Sequence, residues 1–207
     1  MKFNHYIFDF DGTLADSEHT TMLLWEKLLH EYGMNIEISA LRNDIFGLTV
    51  KDTIKKLNIN DFDSKFEEKL FKMGLDTAKD ILYFDGIVEM LKKIKKSGAN
   101  LGIVSSRANN EFTFEMFSHL NLDKYFPVVI LKEATKRHKP NKEPIEKYIE
   151  VAGASKDECI YIGDMPTDVM SANAAGIKSG IVLWNGSSKP CEEADYSFNT
   201  PDDILNL

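Results

Sequence analysis

Cysteine, proline and tryptophan are scarce in this sequence of 207 residues. The two cysteines, Cys159 and Cys191, form neither a closely spaced pair nor a zinc-binding pattern, so we expect reduced thiols and no disulfide. All six prolines lie at position 127 or later, and nothing before them interrupts helices in that way. No apolar run approaches the roughly 20 residues that span a bilayer, and the N-terminal stretch is too acidic for a signal peptide. These absences predict a soluble protein of a reducing compartment, the cytoplasm.

Basic residues are also in the minority. The chain has 25 Lys and Arg against 33 Asp and Glu, which gives a formal net charge of −8. A field of that sign disfavours nucleic acid and anionic membranes as partners. It does not exclude an anionic small molecule, because a bound cation or a local basic cluster reverses the sign at one site. For the oligomeric state a monomer is our default expectation.

Short apolar runs rich in β-branched residues alternate with helical patterns. The runs are unbroken, which is typical of strands covered on both faces of a parallel sheet. They lie at residues 5 to 11, 100 to 106, 127 to 131, 158 to 164 and 179 to 184, with a weaker one at 194 to 198. The helical patterns between them cover 87 to 98, 110 to 122, 142 to 154 and 167 to 176. This alternation predicts an α/β fold built on a doubly wound parallel sheet.

Residues 16 to 82 break the alternation, because they contain helix-like segments and no convincing strand. We therefore predict an α/β core formed by residues 1–15 and 83–207 and a helical insert formed by 16–82. The aromatic and Met positions of the insert are expected to form a core of its own rather than a cofactor site.

Polar side chains stand where the predicted strands end. Asp9 and Asp11 end the first run, Ser105 and Ser106 the second, and Asp164 the fourth. If the first strand continues through both acids, their side chains lie on the same side. Each fragment alone has a simpler interpretation as a turn or a helix cap. Because ligands of open α/β sheets bind at the carboxyl ends of the strands, we expect the fragments to converge on one pocket.

Four segments together resemble a known family. DFDGTLADS, IVSSR, HKPNKEP and GDMPTDVMSANAAG resemble, in this order, the four motifs of the haloacid dehalogenase superfamily of aspartate-nucleophile phosphatases. The insert resembles the C1 cap of its phosphoglycolate-phosphatase-like and β-phosphoglucomutase-like members. The stretch YFDGIVEMLKKIK, residues 83 to 95, resembles the point where the chain re-enters the core, with Asp85 where a proline is commoner. The resemblance implies a Rossmann-like core, a helical cap that closes over the site, and a Mg²⁺-dependent phosphatase of a small phosphorylated metabolite.

The resemblance also implies roles for individual acids. Asp9 would be the nucleophile that forms an aspartyl-phosphate, and Asp11 the general acid and base. Mg²⁺ would be bound by the carboxylates of Asp9 and Asp164 and by the backbone carbonyl of Asp11. Asp168 would orient metal-bound water or Lys139, and Lys139 would offset negative charge on nucleophile and phosphate together.

A phosphate site is implied by the same resemblance. Ser105 and nearby backbone N–H groups would hold the phosphoryl oxygens. Further candidates for phosphate or substrate binding are Gly12, Ser106, Arg107, Lys139 and Gly47, the last in the turn FGLT (46 to 49).

The sequence favours phosphoryl transfer but does not specify the group that accepts the phosphoryl group. Dehalogenases of this superfamily lack the acid at the position of Asp11, so its presence favours phosphoryl transfer to water or to a hydroxyl group. A phosphomutase of the β-phosphoglucomutase type would use the same residues as a phosphatase. A non-catalytic module that only binds a phosphate ligand is the alternative from another class, and substrate identity is not specified.

Overall fold

The computed structural model describes residues 1–37, 50–59 and 64–207. These residues form two compact units, one of Met1–Asp16 with Leu82–Leu207 and the other of Ser17–Ile81. Among the described residues, none of the helices combines the length and the apolar character needed to cross a bilayer. The predicted monomer and the predicted cytoplasmic location stay predictions.

The first unit is built on a six-stranded sheet in which all neighbouring strands are parallel. Its order is β5-β4-β1-β6-β7-β8, with β1 in the interior. The strands are β1 His5–Phe8, β4 Asn100–Val104, β5 Val128–Ile130, β6 Cys159–Gly163, β7 Lys178–Val182 and β8 Tyr196–Phe198. β1, β4, β6 and β7 are almost wholly buried, as their unbroken apolarity predicts. The prediction of a doubly wound α/β sheet is confirmed.

Helices connect these strands at the predicted places. They are α4 Ile87–Lys96, α5 Glu111–His119, α6 Glu143–Ala152 and α7 Pro166–Ala175. Helix α5 begins after Asn110, whose side-chain oxygen accepts a hydrogen bond of 3.0 Å from the Thr113 N–H. Such a cap satisfies one of the N–H groups that the first turn of a helix leaves free.

One detail of the predicted strands is wrong. β1 ends at Phe8, so Asp9 and Asp11 do not lie on a continuing strand. The chain instead turns, with the backbone N–H groups of Leu14 and Ala15 both donating to the Phe10 carbonyl. At the ends of the predicted insert, Asp16 and Leu82 belong to a short antiparallel pair, β2 Ala15–Asp16 and β3 Leu82–Tyr83, and the predicted domain bounds stay a prediction. A two-residue strand is too short to give a periodic signal.

The second unit is helical in its described residues. Its helices are α1 Ser17–Glu31, α2 Val50–Lys56 and α3 Ser64–Thr77. Apolar side chains of α1 and α3, with Ile54 of α2, form one buried cluster. Within it the rings of Trp25 and Phe66 lie 6.1 Å apart. The predicted role of this unit as a cap domain stays a prediction.

Close packing of α6 on the sheet depends on Gly102 in β4. A methyl group at this position would lie 1.9 Å from ring carbon Cε2 of Tyr148, far inside van der Waals contact. Tyr148 is fully buried, and its hydroxyl lies 3.2 Å from Nδ1 of His5 at the start of β1. The missing side chain at Gly102 therefore lets an aromatic ring cover the centre of the sheet.

We expect Gly102→Ala to lower the free energy of unfolding by about 1–3 kcal/mol, the usual cost of overpacking a core. Urea denaturation followed by circular dichroism measures this. The control is Val151→Ala on the exposed side of α6, where a change within about 0.5 kcal/mol is expected. Equal stability of the two variants would contradict the packing argument.

Candidate active site

Asp9 stands directly after β1, at the carboxyl edge of the sheet. Its backbone N–H donates to the Ile162 carbonyl of β6 at 2.9 Å, which extends the sheet pairing by one residue. The residue is only 7% exposed. Its Oδ1 is buried and accepts no hydrogen bond from any described residue. Burying a carboxylate oxygen without a hydrogen-bond donor costs folding free energy unless a cation lies close to it.

Lys139 supplies the positive charge nearest to Asp9. Its Nζ lies 3.1 Å from Asp9 Oδ1, in an orientation that makes an ion pair but no hydrogen bond. The same ammonium donates to Asp168 Oδ1 at 2.6 Å and to the Tyr161 hydroxyl at 3.1 Å. Its side chain is 8% exposed. Two of its three hydrogens are therefore used within the protein, and one remains for a ligand or for Asp9.

Asp164 and Asp168 come from the end of β6 and the start of α7, and their surroundings differ. Asp168 accepts from Lys139 through Oδ1 and from the Met165 backbone N–H at 3.0 Å through Oδ2. Asp164 is held more weakly, by the Thr13 hydroxyl at 3.4 Å and the Asn185 amide at 3.2 Å. Asp168 is thus committed to the protein, whereas Asp164 retains more capacity to bind a ligand.

Buried negative charge raises the proton affinity of two of these acids. Burial raises the pKa of Asp9 to about 7, with Lys139 acting to lower it and the Asp168 carboxylate to raise it further. Burial likewise raises the pKa of Asp164 to about 8, and the neighbouring Asp9 carboxylate adds to the effect. For Lys139 burial lowers the pKa, but the carboxylates of Asp168 and Asp9 outweigh it and hold the pKa above its usual range. One lysine does not neutralise this cluster.

The donor set fits a hard divalent cation. One carboxylate oxygen from each of Asp9, Asp164 and Asp168 can be chosen so that all three lie within 4.8 Å of one another. Among the described residues Asp9 Oδ1 has no hydrogen-bond donor, and burial, together with the neighbouring carboxylates, raises the pKa values of Asp9 and Asp164. Oxygen ligands of this kind suit Mg²⁺, which keeps several waters and takes few carboxylates.

Gly12 allows the loop after β1 to approach Asp164. Its φ of +71° is in the left-handed region, and a methyl group there would lie 2.5 Å from Asp164 Oδ2. The Asn185 amide bridges the two, donating to the Gly12 carbonyl at 2.8 Å as well as to Asp164. The Gly12 N–H donates to the Ala15 carbonyl at 3.0 Å, so it is committed to the turn. Phosphate binding by Gly12 stays a prediction.

Ser105 and Ser106 line a small open cavity together with Lys139. Ser105 is buried, and its Oγ accepts from the Arg107 N–H at 3.2 Å, a contact that does not use its own hydrogen. Ser106 is exposed. Lys139 therefore connects the serine cavity with the Asp9 cluster. The predicted Gly47 and its turn lie outside the described residues.

Asp11 faces a cation of its own. Arg107 Nη2 donates to Asp11 Oδ1 at 2.5 Å. Arg107 also lies over two aromatic rings, with Cζ 5.5 Å from the centre of Phe10 and 5.3 Å from that of Phe112. The structure thus pairs Asp11 with Arg107, two residues that the sequence assigned to different tasks.

Two residues of the site carry no clear sequence signal. Tyr161 lies in the apolar run of β6 and is fully buried, yet its hydroxyl accepts from Lys139 and donates to the Val104 carbonyl at 2.8 Å. Asn185 belongs to an Asn-Gly pair that looks like an ordinary turn. Its Oδ1 accepts from the Ser187 and Ser188 N–H groups while its amide reaches Asp164. Both residues fix the orientation of predicted site residues.

Comparison with known proteins identifies the family. The family model described as haloacid dehalogenase-like hydrolase matches residues 6–182, which is most of the chain. The chain belongs to this family. The predicted superfamily and its capped branch are confirmed, and so is the predicted enzyme class, a phosphatase of the haloacid dehalogenase type.

Relatives of this haloacid dehalogenase-like hydrolase cover its whole length. Pyrophosphatase PpaX of Bacillus cereus is 29% identical over 218 residues, which cover 100% of this chain and 97% of the relative. Pyrophosphatase PpaX of Bacillus mycoides is 30% identical over the same span and coverage. Among solved structures, a haloacid dehalogenase-superfamily hydrolase of subfamily IA from Geobacter sulfurreducens matches with a TM-score of 0.79 at 20% identity. That match covers 100% of this chain and 96% of the other, and it shows the fold.

The raised pKa values predict how stability depends on pH without metal. In EDTA we expect the free energy of unfolding to fall from pH 5 to pH 8. In this range the folded protein holds protons on Asp9 and Asp164, whereas an unfolded aspartate, with a usual pKa of 3.8, has released them. Added Mg²⁺ should raise the melting temperature at pH 8, because it binds only the folded form.

The variant Asp164→Asn isolates this contribution in thermal melts across the pH range. Asp164→Asn should reduce the decrease of the free energy of unfolding between pH 5 and pH 8. Asp202→Asn, which removes an exposed carboxylate paired with Lys93, should leave that decrease unchanged. The same slope in wild type and Asp164→Asn would show that Asp164 is not the group responsible.

Proposed function

We propose that this chain is a Mg²⁺-dependent phosphatase that hydrolyses a small phosphorylated metabolite through an aspartyl-phosphate on Asp9. The observation that supports this most is the buried cluster at the carboxyl edge of the sheet. In it Lys139 contacts both Asp9 and Asp168. A carboxylate oxygen of Asp164 lies within 4.8 Å of one from each of these two acids. Such a cluster can hold a phosphoryl group against an attacking carboxylate.

The proposed first step is attack of an Asp9 carboxylate oxygen on phosphorus, with loss of the leaving oxygen. Asp9 suits this role because its Oδ1 accepts no hydrogen bond from the described residues and contacts the Lys139 ammonium through an ion pair. Lys139 has a hydrogen available and lies beside the Ser105 cavity, so it can bind a phosphoryl oxygen while it pairs with Asp9. Binding of the transferred group by Ser105 is supported by its buried hydroxyl, whose hydrogen is not used in the contact with the Arg107 N–H.

Mg²⁺ would be held by the carboxylates of Asp9 and Asp164 and by the Asp11 carbonyl, as predicted. When bound, it offsets the repulsion between the carboxylate and a dianionic phosphate. Asp168 is assigned a supporting role, because both of its oxygens already accept hydrogen bonds from the protein. Asn185 holds the Asp164 carboxylate in place from the other side.

Asp11 is assigned the proton transfers. It would protonate the leaving oxygen, and then take a proton from the water that attacks the aspartyl-phosphate, which releases phosphate and restores Asp9. Asp11 is two residues from the nucleophile and more exposed than it, with about a quarter of its side chain accessible. A group that serves both a leaving group and water needs such access.

The substrate remains to be identified by assay. Two relatives are named pyrophosphatases, which makes inorganic pyrophosphate the first compound to assay. A phosphomutase would return the phosphoryl group to a sugar, and conversion of a hexose 1-phosphate to the 6-phosphate without phosphate release would identify it. A module that only binds phosphate would show no turnover across a broad panel.

The proposal is tested by aryl phosphate hydrolysis in the presence of Mg²⁺. Asp9→Asn should reduce kcat by at least about 10³-fold, because loss of the nucleophile removes the covalent step. EDTA should abolish the activity of the wild type, and excess Mg²⁺ should restore it. Asp202→Asn, an exposed aspartate, is the matched control and should retain full activity. Full activity of Asp9→Asn would overturn the assignment of the nucleophile.

A second test concerns Tyr161 as a positioning residue for Lys139. Tyr161→Phe removes one hydrogen-bond partner of the ammonium and should lower kcat about 10-fold with little change in KM. Because Tyr148 is also a buried tyrosine, Tyr148→Phe is the matched control, expected to lower stability but not kcat. The ¹⁵N-detected hydrogen exchange of the Lys139 ammonium should accelerate only in Tyr161→Phe. A purely structural role would leave that exchange unchanged.

A further inference from the structure

Arg107 is fixed at the start of its loop more firmly than a solvated surface residue would be. Its backbone N–H donates to Ser105 Oγ, and its carbonyl accepts from the Lys132 N–H at 3.0 Å. These contacts join the segment after β4 to the segment after β5. The position of the Arg107 side chain therefore depends on the same serine that is proposed to bind the transferred phosphoryl group.

The guanidinium is held against the segment that carries both proposed catalytic acids. It lies over the ring of Phe10, which stands between Asp9 and Asp11 in the chain, and over the ring of Phe112. Contact of a guanidinium with aromatic rings stabilises it without using its N–H donors. The donors on its edge stay available for planar recognition of carboxylate or phosphate oxygens.

Those donors are not all used by the protein. Nη2 donates to Asp11 Oδ1, but Nε is buried and has no hydrogen-bond partner among the described residues. The side chain is only 13% exposed. Asp11 therefore satisfies only part of this guanidinium, and its exposed part can bind a further anion.

We propose that Arg107 binds an anionic group on the leaving-group side of the scissile bond, so that the preferred substrates are phosphoryl compounds whose leaving group is itself negatively charged. This deepens the proposed function and rests on it. Asp11 is assigned to the leaving oxygen, and Arg107 contacts Asp11 directly, so an anion joined to that oxygen comes within reach of the guanidinium. The chemical class includes phosphoanhydrides and phosphate esters of hydroxy acids.

The test compares substrates that differ in leaving-group charge. Inorganic pyrophosphate and phosphoglycolate carry a charged leaving group, whereas 2-hydroxyethyl phosphate and an aryl phosphate do not. In the wild type kcat/KM should be higher for phosphoglycolate than for its near-isostere 2-hydroxyethyl phosphate. Arg107→Gln removes the contact with Asp11 for every substrate, but it should lower kcat/KM about 10- to 100-fold more for the charged pair than for the neutral pair, the range of a charge-assisted hydrogen bond.

Two further variants define the controls. Arg137→Gln removes an exposed arginine paired with Glu143 and should change neither pair of substrates. Arg107→Lys keeps the charge but loses the fork geometry, so its effect on the charged pair should be intermediate. If Arg107→Gln fails to fold, as judged by circular dichroism, Arg107→Lys carries the comparison.

A binding measurement separates this inference from the proposed function. Titration calorimetry with Mg²⁺ should show that Arg107→Gln weakens binding of methylenediphosphonate about 10-fold or more but leaves methylphosphonate unchanged. If Arg107→Gln lowered kcat/KM equally for charged and neutral substrates, Arg107 would only position Asp11. That result would overturn this inference but not the proposed phosphatase function. Absence of hydrolysis in the wild type would overturn the proposed function, and the two phosphonates would then still decide whether Arg107 selects a second anion.

Discussion

The ion pair between the buried Lys139 ammonium and the carboxylates around it is the interaction on which the site depends. Three buried acids meet at one edge of the sheet, and without a cation their mutual repulsion would favour neutral forms. Lys139 contacts Asp9 and Asp168 and is itself oriented by the Tyr161 hydroxyl. Its single charge offsets only part of the negative charge, and the remaining charge makes the cluster a binding site rather than a closed salt bridge.

The fold positions the acidic side chains of this site at the ends of rigid strands. Asp9 follows an interior strand, and Asp164 follows its parallel neighbour, so their separation is set by sheet pairing. The residues that orient them are tied to neighbouring strands, as Tyr161 is to the Val104 carbonyl. Loss of one such contact is therefore expected to disturb chemistry more than stability, because the strands themselves are held by a large buried core.

The parts predicted from the sequence are those with strong local signals. Unbroken apolar runs located the sheet, and polar residues at their ends located Asp9, Ser105 and Asp164. Tyr161 was missed because a tyrosine within an apolar run has no feature that distinguishes a packed ring from a hydrogen-bonded hydroxyl. The pairing of Arg107 with Asp11 was missed because it joins two loops far apart in the chain. Such contacts follow from strand order, which apolar patterns do not encode.

The strand order β4-β1-β6 has a consequence for synthesis on the ribosome. β1 leaves the ribosome first, yet both strands that pair with it are encoded much later, so it cannot be incorporated into a sheet until they appear. Until then its apolar residues stay unpaired in the nascent chain, next to the acids Asp9 and Asp11 that follow the strand. The acids keep that segment charged during the delay, and charge of one sign opposes aggregation of apolar strands. Residues assigned to chemistry in the finished protein are thus expected to protect the nascent chain as well.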